Sequence, residues 1–345
     1  MIAKQYETDN NRLSKQQAPY PWQQTLTDRW LRMLNAGQLP SAVLLTGTAG
    51  SGKSDLAHFW VSNVLCECRA LQGGYCGKCR SCRLLVSNTH PDFWWTNCDD
   101  AQLTVDWARE FNLFWQRTAS RGGFKIAVIE RAERLNLAAA NALLKTVEEL
   151  PEFCCVIFIT DKPGRLPITL RSRLVVFKLQ LTDKRLVRNW LVQQNSDHVW
   201  SDERLTLVQR MLPLSPLLAV ERLNNIQFWD DRKLLFEQLA ELDKKSNFSS
   251  LAQMWSTKQS ANEFLQFWLD LIQDLLKIKL GLSARVLNVD QRELLVSWTS
   301  GCSMEGLVEL EKWIWVALSD GQRFNINDVL LFETLFYKWE RLVTP

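Results

Sequence analysis

At 345 residues, with 46% hydrophobic side chains and mixed-sign charges, the chain reads as a soluble globular protein of two or three domains. A net charge of +3 is too slight to imply nucleic acid or a membrane surface without a concentrated basic face. No apolar run approaches the roughly 18 residues of a membrane span and the N-terminus is polar rather than signal-like, so a cytoplasmic setting is expected.

Residues 1–18 are polar, aperiodic and rich in Gln and Asn, which suits a loose lead-in. Pro21-Trp22 precedes a helix with Leu26, Trp30, Met33 and Leu34 on one face, ending near Gly37 and Pro40. Ala42-Val43-Leu44-Leu45 reads as a buried strand. Behind it, Gly47-Thr48-Ala49-Gly50-Ser51-Gly52-Lys53-Ser54 fills every position of the P-loop pattern. Its glycines let the backbone turn tightly and aim successive N–H groups inward, so that loop and following helix make a positive concavity for phosphates. Lys53 would reach the β- and γ-phosphates and Ser54 would ligate magnesium, with ATP or ADP as the expected nucleotide. An amphipathic helix through Leu56, Phe59, Trp60 and Val64 follows.

Five of the nine cysteines crowd between residues 66 and 82, which in a cytosolic chain argues for a metal rather than disulfides. Cys76, Cys79 and Cys82, with two residues between each pair, bring three thiolates to one ion. A fourth from Cys66 or Cys68 would close a tetrahedral shell at Zn–S distances of about 2.3 Å. Cys66 is favoured because it directly ends the apolar helix. An all-cysteine shell leaves no water position, so the zinc is structural, fastening an insertion too small for its own core.

Asp92–Thr96 reads as a second strand, opened by a structural His90, and a helix through Trp107, Phe111 and Trp115 comes next. Lys125–Ile129 is an apolar strand that ends in Glu130-Arg131. A helix then runs from near Asn136 to Pro151 on the stripe Ala139, Leu143, Leu144 and Val147, leaving Asn141, Lys145 and Glu148 outward. Cys154–Thr160 and Val175–Phe177 are further strands, and this alternation implies a parallel sheet covered on both faces. From Leu181 strands disappear. A small helical unit carries Leu186, Trp190 and Leu191, then Leu205, Val208 and Leu212, then Leu217, Leu218 and Val220. Long amphipathic helices follow, with Phe264, Trp268, Leu271, Leu275 and Ile278 at gaps of four and three, and Leu331, Leu335 and Trp339 near the end. Trp94, Trp95, Trp255, Trp268, Trp313 and Trp315 are expected in cores.

The P-loop, the cysteine-rich insertion ahead of His90-Pro91-Asp92, the helix Asn141–Glu149 and Thr169-Leu170-Arg171-Ser172-Arg173 together resemble the AAA+ clamp-loader subunits of bacterial replication. The resemblance covers residues 20 to 180 by motif and the helical remainder by order and length. It implies an AAA+ P-loop domain over 1–180 with its zinc module, a small helical lid over 181–226 and a helical collar over 227–345. It also implies partners: delta and gamma/tau subunits in a hetero-pentameric ring, and through the ring a sliding clamp and primer-template DNA. The family's Ser-Arg-Cys motif falls on Ser172-Arg173-Leu174, making Arg173 the candidate arginine finger for a neighbour's ATP, a contribution of roughly 10³–10⁵ in rate where such fingers act.

Departures from the family pattern separate a non-motor subunit from its ATP-hydrolysing sibling. A working site needs an aspartate for magnesium followed by a glutamate that activates water, and here Glu130 and Arg131 stand there. An arginine cannot accept a proton from water. Leu217, in Ser215-Pro216-Leu217, occupies the lid position where an active relative carries an arginine. The expectation is a ring subunit that presents Arg173 without hydrolysing ATP itself. The alternatives are a gamma/tau-type motor and a nucleic-acid-binding zinc ribbon using Tyr75, Lys78, Arg80 and Arg83, the last weakened by too few basic and aromatic residues.

Overall fold

A computed structural model describes residues 18–69, 74–96, 103–120, 123–195, 199–242, 246–320 and 327–343. Apart from Ala18, the lead-in expected at residues 1–18 lies outside that set. The chain divides into two compact units, residues 1–194 with 214–219, and residues 195–213 with 220–345.

The first unit runs α1 (Gln24–Asn35), β1 (Ala42–Gly47), α2 (Lys53–Leu65), α3 (Arg80–Val86), β2 (Phe93–Thr96), α4 (Val105–Gln116), β3 (Lys125–Ile129), α5 (Leu137–Glu148), β4 (Cys154–Thr160), α6 (Ile168–Arg171), β5 (Val175–Leu179) and α7 (Lys184–Gln194). All five strands are parallel, in the order β2-β3-β4-β1-β5. Side chains alternate across a strand, so β1 sends Val43 and Leu45 to one face and Ala42 and Leu44 to the other. The first face packs under α1 and α2, where Trp30 stacks on Trp60 at 4.4 Å and Phe177 meets both edge-on. The second packs under α4 and α5 through Phe111, Leu143 and Phe158. Strands covered on both sides read as unbroken apolar runs, which is why β3 and β4 were visible in the sequence.

Two expectations need correction here. The P-loop helix α2 is not one-sided, since Phe59, Trp60, Val61, Ser62, Asn63, Val64 and Leu65 are all buried. It lies between the sheet and the cysteine module, and polar Asn63 earns its place by bonding Phe59 O and the backbone N–H of Gly74. In α7 the buried positions are Val187 and Leu191, while Leu186 and Trp190 are half-buried. Trp190 instead packs edge-on against Tyr20 and Trp22.

The second unit is helical: α8 (Asp202–Met211), most of α9 (Pro216–Asn224), α10 (Ile226–Glu241), α11 (Phe248–Lys258), α12 (Ala261–Lys279), α13 (Arg292–Gly301), α14 (Met304–Asp320) and α15 (Asp328–Val343). Its core gathers Trp255, Phe264, Trp268, Leu271, Leu275, Trp298, Leu331, Phe332, Leu335, Phe336 and Trp339. Trp315 is not part of it. The buried line of α14 is Leu307, Leu310, Ile314 and Ala317, at gaps of three and four, and Trp315 sits one residue off it at 54% exposure. A polar clamp closes the loop after α12: fully buried Asp274 accepts from Leu287 N and Asn288 N at 2.8 Å, and Arg232 grips Asp290 and Asn288. Among the described residues, no helix is long and apolar enough to cross a membrane.

Candidate functional site

The P-loop leaves β1 at Gly47 and enters α2 at Lys53, with Gly50 at φ +69° and Gly52 at φ +80°. These left-handed turns need glycine twice over, because a Cβ on Gly52 would come within 2.8 Å of Gln23 and Tyr20, and one on Gly50 within 2.5 Å of Leu218. The loop is held from outside. Trp22 Nε1 donates to Ser51 O at 2.9 Å, Gln23 Nε2 to Gly52 O at 2.7 Å, and Thr48 Oγ1 to Leu214 O at 2.9 Å. Leu217, placed by sequence in the lid, donates its backbone N–H to Gly50 O at 3.0 Å. Ala49 completes the turn, and Ser51 Oγ donates back to Thr48 O at 2.7 Å.

Lys53 is buried and satisfied inside this cradle. Its ammonium donates to Gly47 O at 3.1 Å and Thr48 O at 2.7 Å and pairs with Asp161 just past β4. Ser54 donates its hydroxyl to Glu130, whose other oxygen accepts from Trp95 Nε1 at 3.3 Å. The sheet thus delivers the carboxylate at the end of β3 to the hydroxyl that would ligate magnesium. A lysine, a hydroxyl and an acidic oxygen meet at the start of α2, a donor set that fits a magnesium–polyphosphate. Arg131, next in the chain, is exposed in a left-handed turn at φ +51°. Arg131 is followed two residues on by Glu133, which accepts from Thr160 Oγ1 at 2.5 Å, a carboxylate at the P-loop end of the sheet that the sequence reading passed over.

Four thiols form a second centre. Sγ atoms of Cys66, Cys76, Cys79 and Cys82 lie within 4.8 Å of one another, and Cys68 is exposed outside the group. Backbone N–H groups of Lys78 and Cys79 point at Cys76 Sγ at 3.4 and 3.2 Å, that of Cys76 at Cys66 Sγ at 3.2 Å, and that of Cys82 at Cys79 Sγ at 3.4 Å. Those amides lower the Cys76 thiol to about 6, whereas burial pushes Cys82 and Cys66 up. Four thiolates this close repel one another unless a cation neutralises them, so the cluster fits a metal shell. The module is pinned to the sheet by Ser81, whose Oγ meets His90 Nε2 at 2.6 Å, while His90 Nδ1 accepts from Asp92 N at 3.1 Å. His90 is therefore a structural histidine. Tyr75 packs edge-to-face with Phe59, ring centroids 6.0 Å apart.

Arg173 follows α6, which ends at Arg171. It is 38% exposed, with Nε donating to Glu148 and Nη1 to Thr169 O at 2.7 Å. Ser172, also exposed, donates its hydroxyl to the same carbonyl at 3.1 Å. Leu174, where the family motif has cysteine, is buried and serves packing.

The family described as DNA polymerase III, delta subunit, matches residues 22–183, and its C-terminal counterpart matches residues 226–341. DNA polymerase III subunit delta' of Pseudomonas aeruginosa is 31% identical over 94% of this chain and 98% of its own length. The subunit of the same name from Escherichia coli is 31% identical over 79% of this chain and 80% of its own. The tau subunit of Escherichia coli is also 31% identical, but over 52% of this chain and 27% of its own. Among solved structures, a DNA polymerase III gamma-subunit-related protein from Thermotoga maritima aligns with a TM-score of 0.44 at 15% identity, over 91% of this chain and 99% of that one.

Proposed function

Because the chain belongs to the delta-prime family of DNA polymerase III clamp-loader subunits, we propose that it is the non-motor member of a clamp-loader ring, presenting Arg173 to the ATP of an adjacent motor subunit. The carrying observation is the pair at the end of β3. Glu130 reaches the magnesium-ligand hydroxyl, but the water-activating place falls to Arg131, which has no basic lone pair to offer. A P-loop of this form binds magnesium-nucleotide through Lys53 and Ser54 and the loop amides, and the bound phosphates would compete with Asp161 for Lys53. Structural zinc on Cys66, Cys76, Cys79 and Cys82 would neutralise the thiolates and fasten the insertion.

In this reading the P-loop domain spans 1–180, the lid 181–226 and the collar 227–345. The partners are delta and gamma/tau subunits, and through them a sliding clamp and primed DNA, in the cytoplasm. Catalysis is then divided between chains: the motor supplies nucleotide and base, and this chain supplies a guanidinium that stabilises charge developing on the transferred phosphoryl.

The test is steady-state ATPase in two settings. The isolated chain is expected to turn over no ATP above background. A reconstituted ring in which a single motor site, the one facing Arg173, remains active should lose about 10³-fold or more in turnover on Arg173→Ala, with assembly intact. Clear turnover by the isolated chain, abolished by Lys53→Ala, would make it a gamma/tau-type motor, and an unchanged Arg173→Ala ring would remove Arg173 from the mechanism.

A further inference from the structure

Glu148 closes α5 and Glu149 follows it, placing two carboxylates at the end of a helix where the backbone carbonyls already concentrate negative charge. Each has one cation: Lys145, one turn back, faces Glu149 at 3.8 Å, and Glu148 is held by Arg173 from beyond α6. The Arg173 guanidinium is fixed at two points, Nε on the Glu148 carboxylate and Nη1 on Thr169 O at 2.7 Å. Because the group is planar, fixing those two donors fixes the plane, and the edge that carries Nη2 is left for a ligand from outside. Both supports are rigid. The α5 stripe Ala139, Ala140, Leu143 and Val147 is buried against the sheet, and Leu170 of α6 is buried beside it.

We infer that Glu148 is the positioning residue for Arg173, setting the orientation in which the guanidinium is offered to a neighbouring subunit. The inference rests on the trans-arginine reading above. At 48% and 38% exposure the pair adds little to folding stability, so its consequence is orientation. An untethered arginine samples many rotamers, and restricting them beforehand can contribute up to about 30-fold to the rate of a reaction it assists.

The experiment uses the reconstituted ring with one active motor site, read as DNA-stimulated ATPase, and compares Glu148→Ala, Glu148→Gln, Arg173→Ala and the Glu148→Ala/Arg173→Ala pair. Expected for Glu148→Ala is a 3- to 30-fold fall in kcat with KM for ATP unchanged, a range set by the rotamer argument. Glu148→Gln, which keeps an oxygen for Nε, recovers most of it, and Glu148→Ala has no further effect once Arg173 is alanine. A neutral or accelerating Glu148→Ala, or an equal loss in the Arg173→Ala background, overturns the positioning role while leaving Arg173 in the mechanism. An unchanged Arg173→Ala ring overturns both.

Discussion

Replacing Gly50 by alanine tests whether the segment around Leu218 truly closes over the P-loop. The new Cβ would lie 2.5 Å from Leu218 Cγ and 3.0 Å from its Cβ and Cδ1, all well inside contact distance. It would also sit at φ +69°, where a side chain costs about 1–2 kcal/mol. Overpacking of this kind adds about 1–3 kcal/mol when neighbours must shift, so the substitution should destabilise the first unit by about 2–5 kcal/mol. Shortening the clashing side chain separates the two contributions. In a Leu218→Ala background the contacts with Cγ and Cδ1 are gone while the 3.0 Å contact with Cβ stays beside the backbone strain, so Gly50→Ala should cost about 1–3 kcal/mol, a coupling of about 1–2 kcal/mol. Urea unfolding followed by tryptophan emission is a suitable assay, since Trp30, Trp60 and Trp95 are buried in the core of the first unit. If Gly50→Ala costs the same in both backgrounds, or less than about 0.5 kcal/mol with Leu218 in place, the packing of Leu218 on the loop is refuted.

Chelation of zinc from the purified chain should remove one ion per chain, lower the thermal midpoint and raise hydrogen exchange in residues 74–90 while nucleotide affinity persists; Cys82→Ser should abolish the bound zinc, and affinity should fall with pH as the thiols reprotonate. Burial, with Asp274 beside it, raises the Asp270 carboxyl to about 6, so its contribution is stabilising at low pH and is lost as pH rises from about 4 to about 6. The gap sets a ceiling near 3 kcal/mol, which partial exposure reduces, so Asp270→Asn should stabilise the helical unit by about 1–2 kcal/mol at pH 8 and not at pH 4 in parallel urea titrations.

Much of the first unit could be read from residues alone because its signals are local. Glycines inside a filled P-loop pattern, apolar runs for β3 and β4, and Asn136 at the start of α5, where it accepts from Ala139 N at 2.7 Å, each carry their own physical cause. The cysteine spacing likewise announced the thiol cluster, though only the three-dimensional arrangement separates Cys66 from Cys68. What stayed hidden depends on partners far apart in sequence. Asp161 on Lys53, Glu130 on Ser54 and Glu148 on Arg173 are set by strand order and helix docking, which periodicity does not encode. Glu148 was read as facing outward, and its exposure fits that reading, but its pairing with Arg173 could not be read from the helix alone. Trp315 misled for the complementary reason: an apolar neighbourhood marks a helix, while the one-residue phase that decides which side is buried needs the whole stripe.

The position of β1 in the sheet also bears on how the chain comes into being. Ala42 pairs with Val156 and Val43 with Val175, so the strand that launches the P-loop has both its neighbours encoded far downstream. At ordinary translation speeds the interval before β4 emerges is on the order of 10 s, during which Ala42-Val43-Leu44-Leu45 has no native strand beside it. A nascent chain arrested before codon 160 would therefore carry the whole phosphate-loop sequence and no phosphate loop, and would call on holdases that shelter apolar segments until the last two strands arrive.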